Sequence, residues 1–215
     1  MLDFISAVYG DAVSSPLAVF GLIAQIIIVL CVFAIIIAIM INFTESKKEK
    51  DTRHEKKSIV ETGTMFLFFA VYYYLTAKNI GCFNVPGITA RITLISIGLL
   101  LIVAGSIVNI KGRVALAGNW ANQIRVYKDQ TFVREGMYRY VRHPLYASLI
   151  WMFYGGSLVY QNYASFLATT LVFIPFMRYR ANQEEELLKK YFSEYETYQK
   201  EVGMFFPKLK LGGKK

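Results

Sequence analysis

The sequence predicts an all-α fold of the membrane-embedded kind. It is a bundle of about five transmembrane helices with a C-terminal helical hairpin and an amphipathic cytoplasmic helix. Three observations predict it. Hydrophobic residues make up 55% of the 215-residue chain and are gathered into blocks rather than spread at core spacing. Leu17 to Ile41 runs for 25 residues without a formal charge, enough to cross a hydrocarbon core of about 30 Å as a helix. The charged residues lie in the stretches between the blocks.

Residues 1–16 read as a mixed interfacial segment, and the first span follows. Residues 44–61 carry mixed charge and read as a solvated helical extension or loop. The second span covers roughly Ile59 to Ala77 and is rich in aromatics. Gly81, Pro86 and Gly87 mark the next connection as a turn. The third span, Ile92 to Ile110, holds Gly98, Ala104, Gly105 and Ser106, which would permit close helix packing. Residues 111–145 are polar and basic. Two shorter apolar blocks, Leu145–Tyr160 and Tyr163–Met177, meet at Gln161-Asn162 and read as a hairpin that crosses twice, or as a shallow re-entrant one. Beyond them, Leu187, Leu188, Tyr191, Phe192, Tyr195, Tyr198 and Val202 recur on one face of a helix ended by Pro207. The expected division is 1–110 for the N-terminal spans, 111–207 for a functional core and 208–215 for a flexible tail.

Charge orients the bundle. Residues 42–58, 111–144 and 178–215 hold 22 of the 24 Lys and Arg residues, which makes that side cytoplasmic. The net charge of +9 is then accounted for by this bias and by anionic headgroups, so no nucleic-acid partner is expected. Two cysteines and two histidines offer neither a disulfide framework nor a metal-ligand spacing, so no metal is expected.

Two cytoplasmic segments flank the hairpin. The first, Gly136 to Tyr146, is basic and aromatic. The second, Arg178 to Glu186, ends in three consecutive carboxylates. A hairpin brings its ends together, so the clusters should face each other. Pro144 suits a first helical turn, leaving the following N–H groups to bind a carboxylate or phosphate, with Arg139, Arg142 and His143 as further donors. The same residues also suit plain anchoring at the interface, and the carboxylates a favourable first helical turn.

The ordered motifs narrow this choice. Leu116-Ala117-Gly118-Asn119-Trp120, Gly136-Met137-Tyr138, Arg142-His143-Pro144-Leu145-Tyr146, Glu184 to Leu188, Tyr195-Glu196-Thr197-Tyr198 and Phe206-Pro207 occur in order over about 100 residues. Together they resemble the isoprenylcysteine carboxyl methyltransferase family and its relatives among phospholipid N-methyltransferases. Ala117, Ser148 and Ser193 depart from the family's usual glycines, and the first 110 residues match only in hydropathy.

The resemblance implies an S-adenosylmethionine-dependent methyltransferase acting on a lipid-like or prenylated acceptor at the cytoplasmic face of the cell membrane, or of the endoplasmic reticulum if eukaryotic. It implies Arg180 and Glu184 as catalytic residues. Tyr138, Arg142, His143, Pro144, Leu145, Tyr146 and Glu185 would bind the cofactor. The acceptor stays open between a prenylcysteine carboxylate, a phospholipid amine and a small amine or thiol. A sterol-type reductase using NADPH and a non-catalytic membrane protein are the rival classes.

Overall fold

The structure is a computed structural model and describes residues 15–46, 52–56, 59–116, 124–127 and 131–208. Residues 1–14 of the expected interfacial segment (1–16), residues 117–120 of the first motif and most of the tail (209–215) lie outside the described residues.

The described chain is almost entirely helical. Helix α1 spans Pro16–Ser46, α2 Ile59–Ala77 and α3 Ile88–Leu116. A single 3-10 turn, Gly136–Arg139, precedes α4 (Pro144–Val159). Helix α5 (Tyr163–Ala168) runs without a break through a π turn (Thr169–Phe173) into α6 (Ile174–Tyr191), and α7 covers Tyr195–Glu201. Two segments of α1 and α3, Pro16–Thr44 and Ile88–Leu116, are each 29 residues long and apolar enough to cross a membrane. At about 1.5 Å per residue each reaches roughly 44 Å, beyond the hydrocarbon core. Helix α2 offers only the shorter apolar stretch Gly63–Ala77, so length and composition identify two spans among the described residues rather than five.

Three expectations are corrected. The 44–61 stretch contains a strand, β1 (Thr52–Lys56), paired antiparallel with β2 (Ile124–Tyr127), where helix or loop was expected. The amphipathic C-terminal helix is broken. Phe192 turns to an extended conformation, with φ −127° and ψ 104°, and the chain restarts as α7. The break lets the Phe192 ring stack on Phe132 with centroids 5.6 Å apart. That helix also ends at Glu201, well before Pro207. Glu184 to Glu186 sit within α6, which also excludes the alternative reading of them as a first helical turn.

Helices α3 and α4 form the tightest contact. Gly98 and Gly155 face each other, and a Cβ on either would come within 2.6 Å of the other's carbonyl oxygen. Between apolar helices the attraction is contact dispersion, so small residues that let backbones approach supply it. Asn109 locks the same interface. Its amide donates to the Ser148 hydroxyl at 2.8 Å, and its carbonyl accepts from Arg113 Nε at 2.9 Å. A second layer is aromatic. Phe68 of α2 stacks on Phe173 of the π turn at 4.6 Å and meets Phe153 of α4 edge-on at 5.1 Å.

The hairpin joint is tight for a local reason. Gln161 takes a left-handed conformation (φ 48°), and Asn162 caps α5 by accepting from the Ser165 N–H at 2.8 Å. The Asn162 amide also donates to the Ile80 carbonyl at 2.9 Å, pinning the joint to the α2–α3 connection. At the far end of α5, the π turn ends two residues before Pro175. A proline inside a helix lacks an N–H and crowds the preceding turn, and the widened turn makes room for it.

Candidate active site

The site forms where the two ends of the hairpin meet the C-terminal strap, residues 202–206, which follows α7. Gly136, at φ 59°, turns the chain into the 3-10 helix and buries Tyr138. The Tyr198 hydroxyl of α7 donates to the Tyr138 carbonyl at 2.6 Å. Residues 141–143 are then held edge to edge by the strap. Arg142 N–H donates to the Gly203 carbonyl at 2.8 Å and His143 N–H to that of Met204 at 3.1 Å. Pro144 begins α4 as expected.

From this frame two side chains reach α6. Arg142 Nε donates to Glu185 Oε1 at 2.8 Å, and His143 Nε2 lies 2.9 Å from the same oxygen. Gln199 Nε2 donates to the other oxygen, Oε2, at 2.6 Å. Arg142 Nη1 donates to the carbonyls of Gln199, at 3.1 Å, and Val202. Glu185 is 2% exposed and Arg142 8%, so this pair is removed from water. Such a pair survives burial only where the remaining donors and lone pairs are satisfied, and here they largely are.

Glu184 occupies a different environment. It accepts from the Tyr146 hydroxyl, and its Oε2 lies 3.5 Å from His143 Nδ1, while its side chain stays 28% exposed. His143 therefore stands between two carboxylates. Its ring stacks on Tyr146 at 5.6 Å and 6°, and Phe205 meets it edge-on at 6.2 Å. Arg180 lies one turn before Glu184 on the same helix face. Its guanidinium sits 5.8 Å over the Tyr146 ring, and Nη1 is 4.0 Å from the Met65 sulfur of α2. Arg180 is 6% exposed, and among the described residues its Nε has no hydrogen-bond partner.

The electrostatics follow from these contacts. Burial favours a neutral Glu185, but hydrogen bonds from His143 and Arg142 and their charges outweigh it and hold the carboxyl at about 2. Burial likewise favours neutral His143, but Glu184 and Glu185 overcome it and leave its pKa raised. Burial pushes the Tyr138, Tyr195 and Tyr198 phenols up, so they stay neutral.

Tyr138, Arg142, Phe132, Phe192, Tyr195 and Tyr198 wall a cavity of about 60 Å³ beside the ion pair. Its aromatic faces and single guanidinium suit a flat heteroaromatic ring next to an anionic group.

Of the residues anticipated from sequence, Tyr146, Arg142, His143, Arg180, Glu184 and Glu185 are brought together, and Tyr138 lines the adjoining cavity. Pro144 and Leu145 instead pack against the Gly112 position of α3, and they set where α4 begins. Gln199, Phe132 and Phe205 were not anticipated. The Tyr-x-x-Tyr pattern and the apolar face of residues 187–202 point to α7 but not to Gln199 within it.

Residues 97–190 match the sequence pattern of the isoprenylcysteine carboxyl methyltransferase (ICMT) family, a little under half of the chain. A relative from Oryza sativa subsp. indica, described as a probable protein-S-isoprenylcysteine O-methyltransferase, is 31% identical over 114 residues, covering 52% of this chain and 60% of the relative. The Schizosaccharomyces pombe protein-S-isoprenylcysteine O-methyltransferase is 36% identical over 81 residues, covering 37% of this chain and 34% of the relative. The chain thus spans less than two thirds of the length of these relatives. A solved eukaryotic intramembrane Ras methyltransferase ICMT shares the fold with a TM-score of 0.52 at 23% identity, over 71% of this chain and 53% of that one. The resemblance read from the ordered motifs therefore holds within residues 97–190.

Proposed function

We propose that this chain is an S-adenosylmethionine-dependent membrane methyltransferase whose acceptor is lipid-like, a prenylcysteine carboxylate being the first choice. One observation carries the reading beyond the family likeness. Arg180 is buried at the meeting of α2, α4 and α6 with its Nε unpartnered, one helical turn from the half-open carboxylate of Glu184. A buried unpaired donor costs on the order of 1–3 kcal/mol, and more on a charged group, unless a ligand completes it.

The cofactor would supply an activated methyl group on a sulfonium. The residues fit it: Phe132, Tyr195 and Tyr198 offer aromatic faces, Tyr138 lines the wall, and Arg142 offers a cation to a carboxylate. His143, Tyr146 and the α4 start set by Pro144 and Leu145 form the polar edge. Glu185 already receives three donors, so it serves the cofactor's polar end by fixing Arg142 and His143. The cavity alone encloses only part of so large a group.

Arg180 would orient the acceptor. A carboxylate acceptor is ionised at neutral pH and needs alignment rather than a base. The planar guanidinium can hold it bidentately. For an amine acceptor, Glu184 is the group placed to take the proton. The apolar tail would enter sideways from the bilayer, between spans. In this reading five helices cross, the site is cytoplasmic and residues 111–207 form the methyl-transfer core.

Purified protein in detergent, radiolabelled S-adenosylmethionine and an acceptor panel test the proposal. The panel pairs a prenylcysteine with a phospholipid amine and a small thiol. Label transfer to the prenylcysteine is the expected result. Saturable binding of NADPH without S-adenosylhomocysteine binding would reject it.

A further inference from the structure

We propose that Gln199 is a positioning residue for the cofactor site, tying the cavity-lining Arg142 guanidinium and the Glu185 carboxylate into one closed unit. The inference rests on the methyltransferase reading and extends it to a helix, α7, that lies outside the stretch matching the family pattern.

The geometry is a ring of three residues from three elements. Glu185 on α6 accepts from Arg142 Nε at 2.8 Å. Arg142, on the loop before α4, donates through Nη1 to the Gln199 carbonyl at 3.1 Å. Gln199, on α7, donates through its side chain to Glu185 Oε2 at 2.6 Å. An ionised carboxylate only accepts, so the nitrogen end of the Gln199 amide must face it. The second strap contact, Arg142 Nη1 to the Val202 carbonyl, lies one turn further on.

Each link leaves the others dependent on it. Arg142 is the cationic wall of the aromatic cavity. Its direction is set by Glu185 on one side and by the α7 backbone on the other. Without the Gln199 side chain, Glu185 Oε2 loses its donor, and α7 is held to this pair by backbone carbonyls alone. A hydrogen bond to a buried charged group is among the stronger kinds, so its loss should show in ligand affinity.

The groups facing Glu185 are Arg142 and His143 from the loop before α4, with Tyr195, Tyr198 and Gln199 from α7, while Glu184 neighbours it on α6 through His143. Arg142 and His143 are cationic or can become so, Glu184 is anionic, and the tyrosines are neutral. Glu185 is held at about 2, so its bound form is lost only as pH falls well below the ordinary carboxylate range.

The test is calorimetric binding of S-adenosylhomocysteine to the full chain in detergent, between about pH 5 and 8, for the unsubstituted protein, Gln199→Ala and Gln199→Glu. Gln199→Ala should bind about 10-fold or more weakly at neutral pH. Gln199→Glu places a second carboxylate beside Glu185. Its defect should be larger at pH 8 and shrink towards pH 5, as the pair comes to share a proton. Melting at each pH restricts the comparison to folded protein, and a purely structural role would lower melting without reshaping the binding profile. Affinities for both variants within about two-fold of the unsubstituted protein, with unchanged pH profiles, would overturn the assignment of Gln199 alone. Absence of binding by the unsubstituted protein would overturn the methyltransferase reading, and this inference with it.

Discussion

Glu185→Gln is the most informative single change in this protein. The substitution keeps shape and removes the charge that faces Arg142 at 2.8 Å in a site 8% exposed or less. The new amide also adds donors where Arg142, His143 and Gln199 already donate. Breaking a buried pair by removing one partner costs about 3–5 kcal/mol. A second route gives a similar size. The Glu185 carboxyl is held at about 2 against an ordinary 4.5, and at about 1.4 kcal/mol per pH unit that is about 3 kcal/mol. The sign with pH follows from the two shifts. Glu185 is depressed, so its contribution is present above about pH 4.5 and fades as pH falls towards 2. His143 is raised, so its contribution is full below about pH 6.5 and fades as pH rises through its folded value. The native cluster is therefore most stabilising between these limits. Thermal melting in detergent from about pH 4 to 9 should show Glu185→Gln lowered by on the order of 10 °C near pH 6, with a flatter pH dependence above it. A variant melting within about 2 °C of the native protein at pH 6 would refute the reasoning.

Four further outcomes are expected. Gly98→Ala would push a methyl to 2.5 Å from the Gly155 carbonyl and should cost about 1–3 kcal/mol in melting, whereas Gly63→Ala, with nothing within 4 Å, should be neutral or gain up to about 1 kcal/mol. Arg180→Lys keeps the charge but loses the planar fork, and should lower kcat in the methyl-transfer assay by about 100-fold while the protein stays folded by circular dichroism. Asn162→Ala removes the α5 cap and the tie to Ile80, and should lower stability by about 1–2 kcal/mol with the affinity for S-adenosylhomocysteine unchanged. Tyr198→Phe strips the donor from the buried Tyr138 carbonyl and should cost about 1–3 kcal/mol, read by melting.

Much of the layout was legible before the structure. Blocks of apolar residues need no tertiary information, because a bilayer-length helix satisfies all its backbone groups within itself. The Gln161-Asn162 joint, the Pro144 start and the small residues of α3 were readable because each acts locally or through size alone. The meeting of Arg142 and His143 with Glu184 and Glu185 followed from one topological step, that a hairpin returns to where it began.

The apolar periodicity of residues 187–202 predicted one helix, because hydrophobic spacing cannot see a break that keeps the same face inward. Phe192 leaves the helix to stack on Phe132, a partner 60 residues earlier in the chain. The strand pair between residues 52–56 and 124–127 also depends on a distant partner.

The sequence by itself determined where the apolar helices lie and which residue types gather at the ends of the hairpin, because length, hydropathy and helix starts are properties of contiguous chain. Only the tertiary structure decided how neighbouring carboxylates divide their surroundings. Glu185 is sealed by Arg142, His143 and Gln199, while Glu184 stays partly open beside Tyr146. Adjacent positions on a helix point about 100° apart, so their environments are set by what packs against each face rather than by their order in the chain.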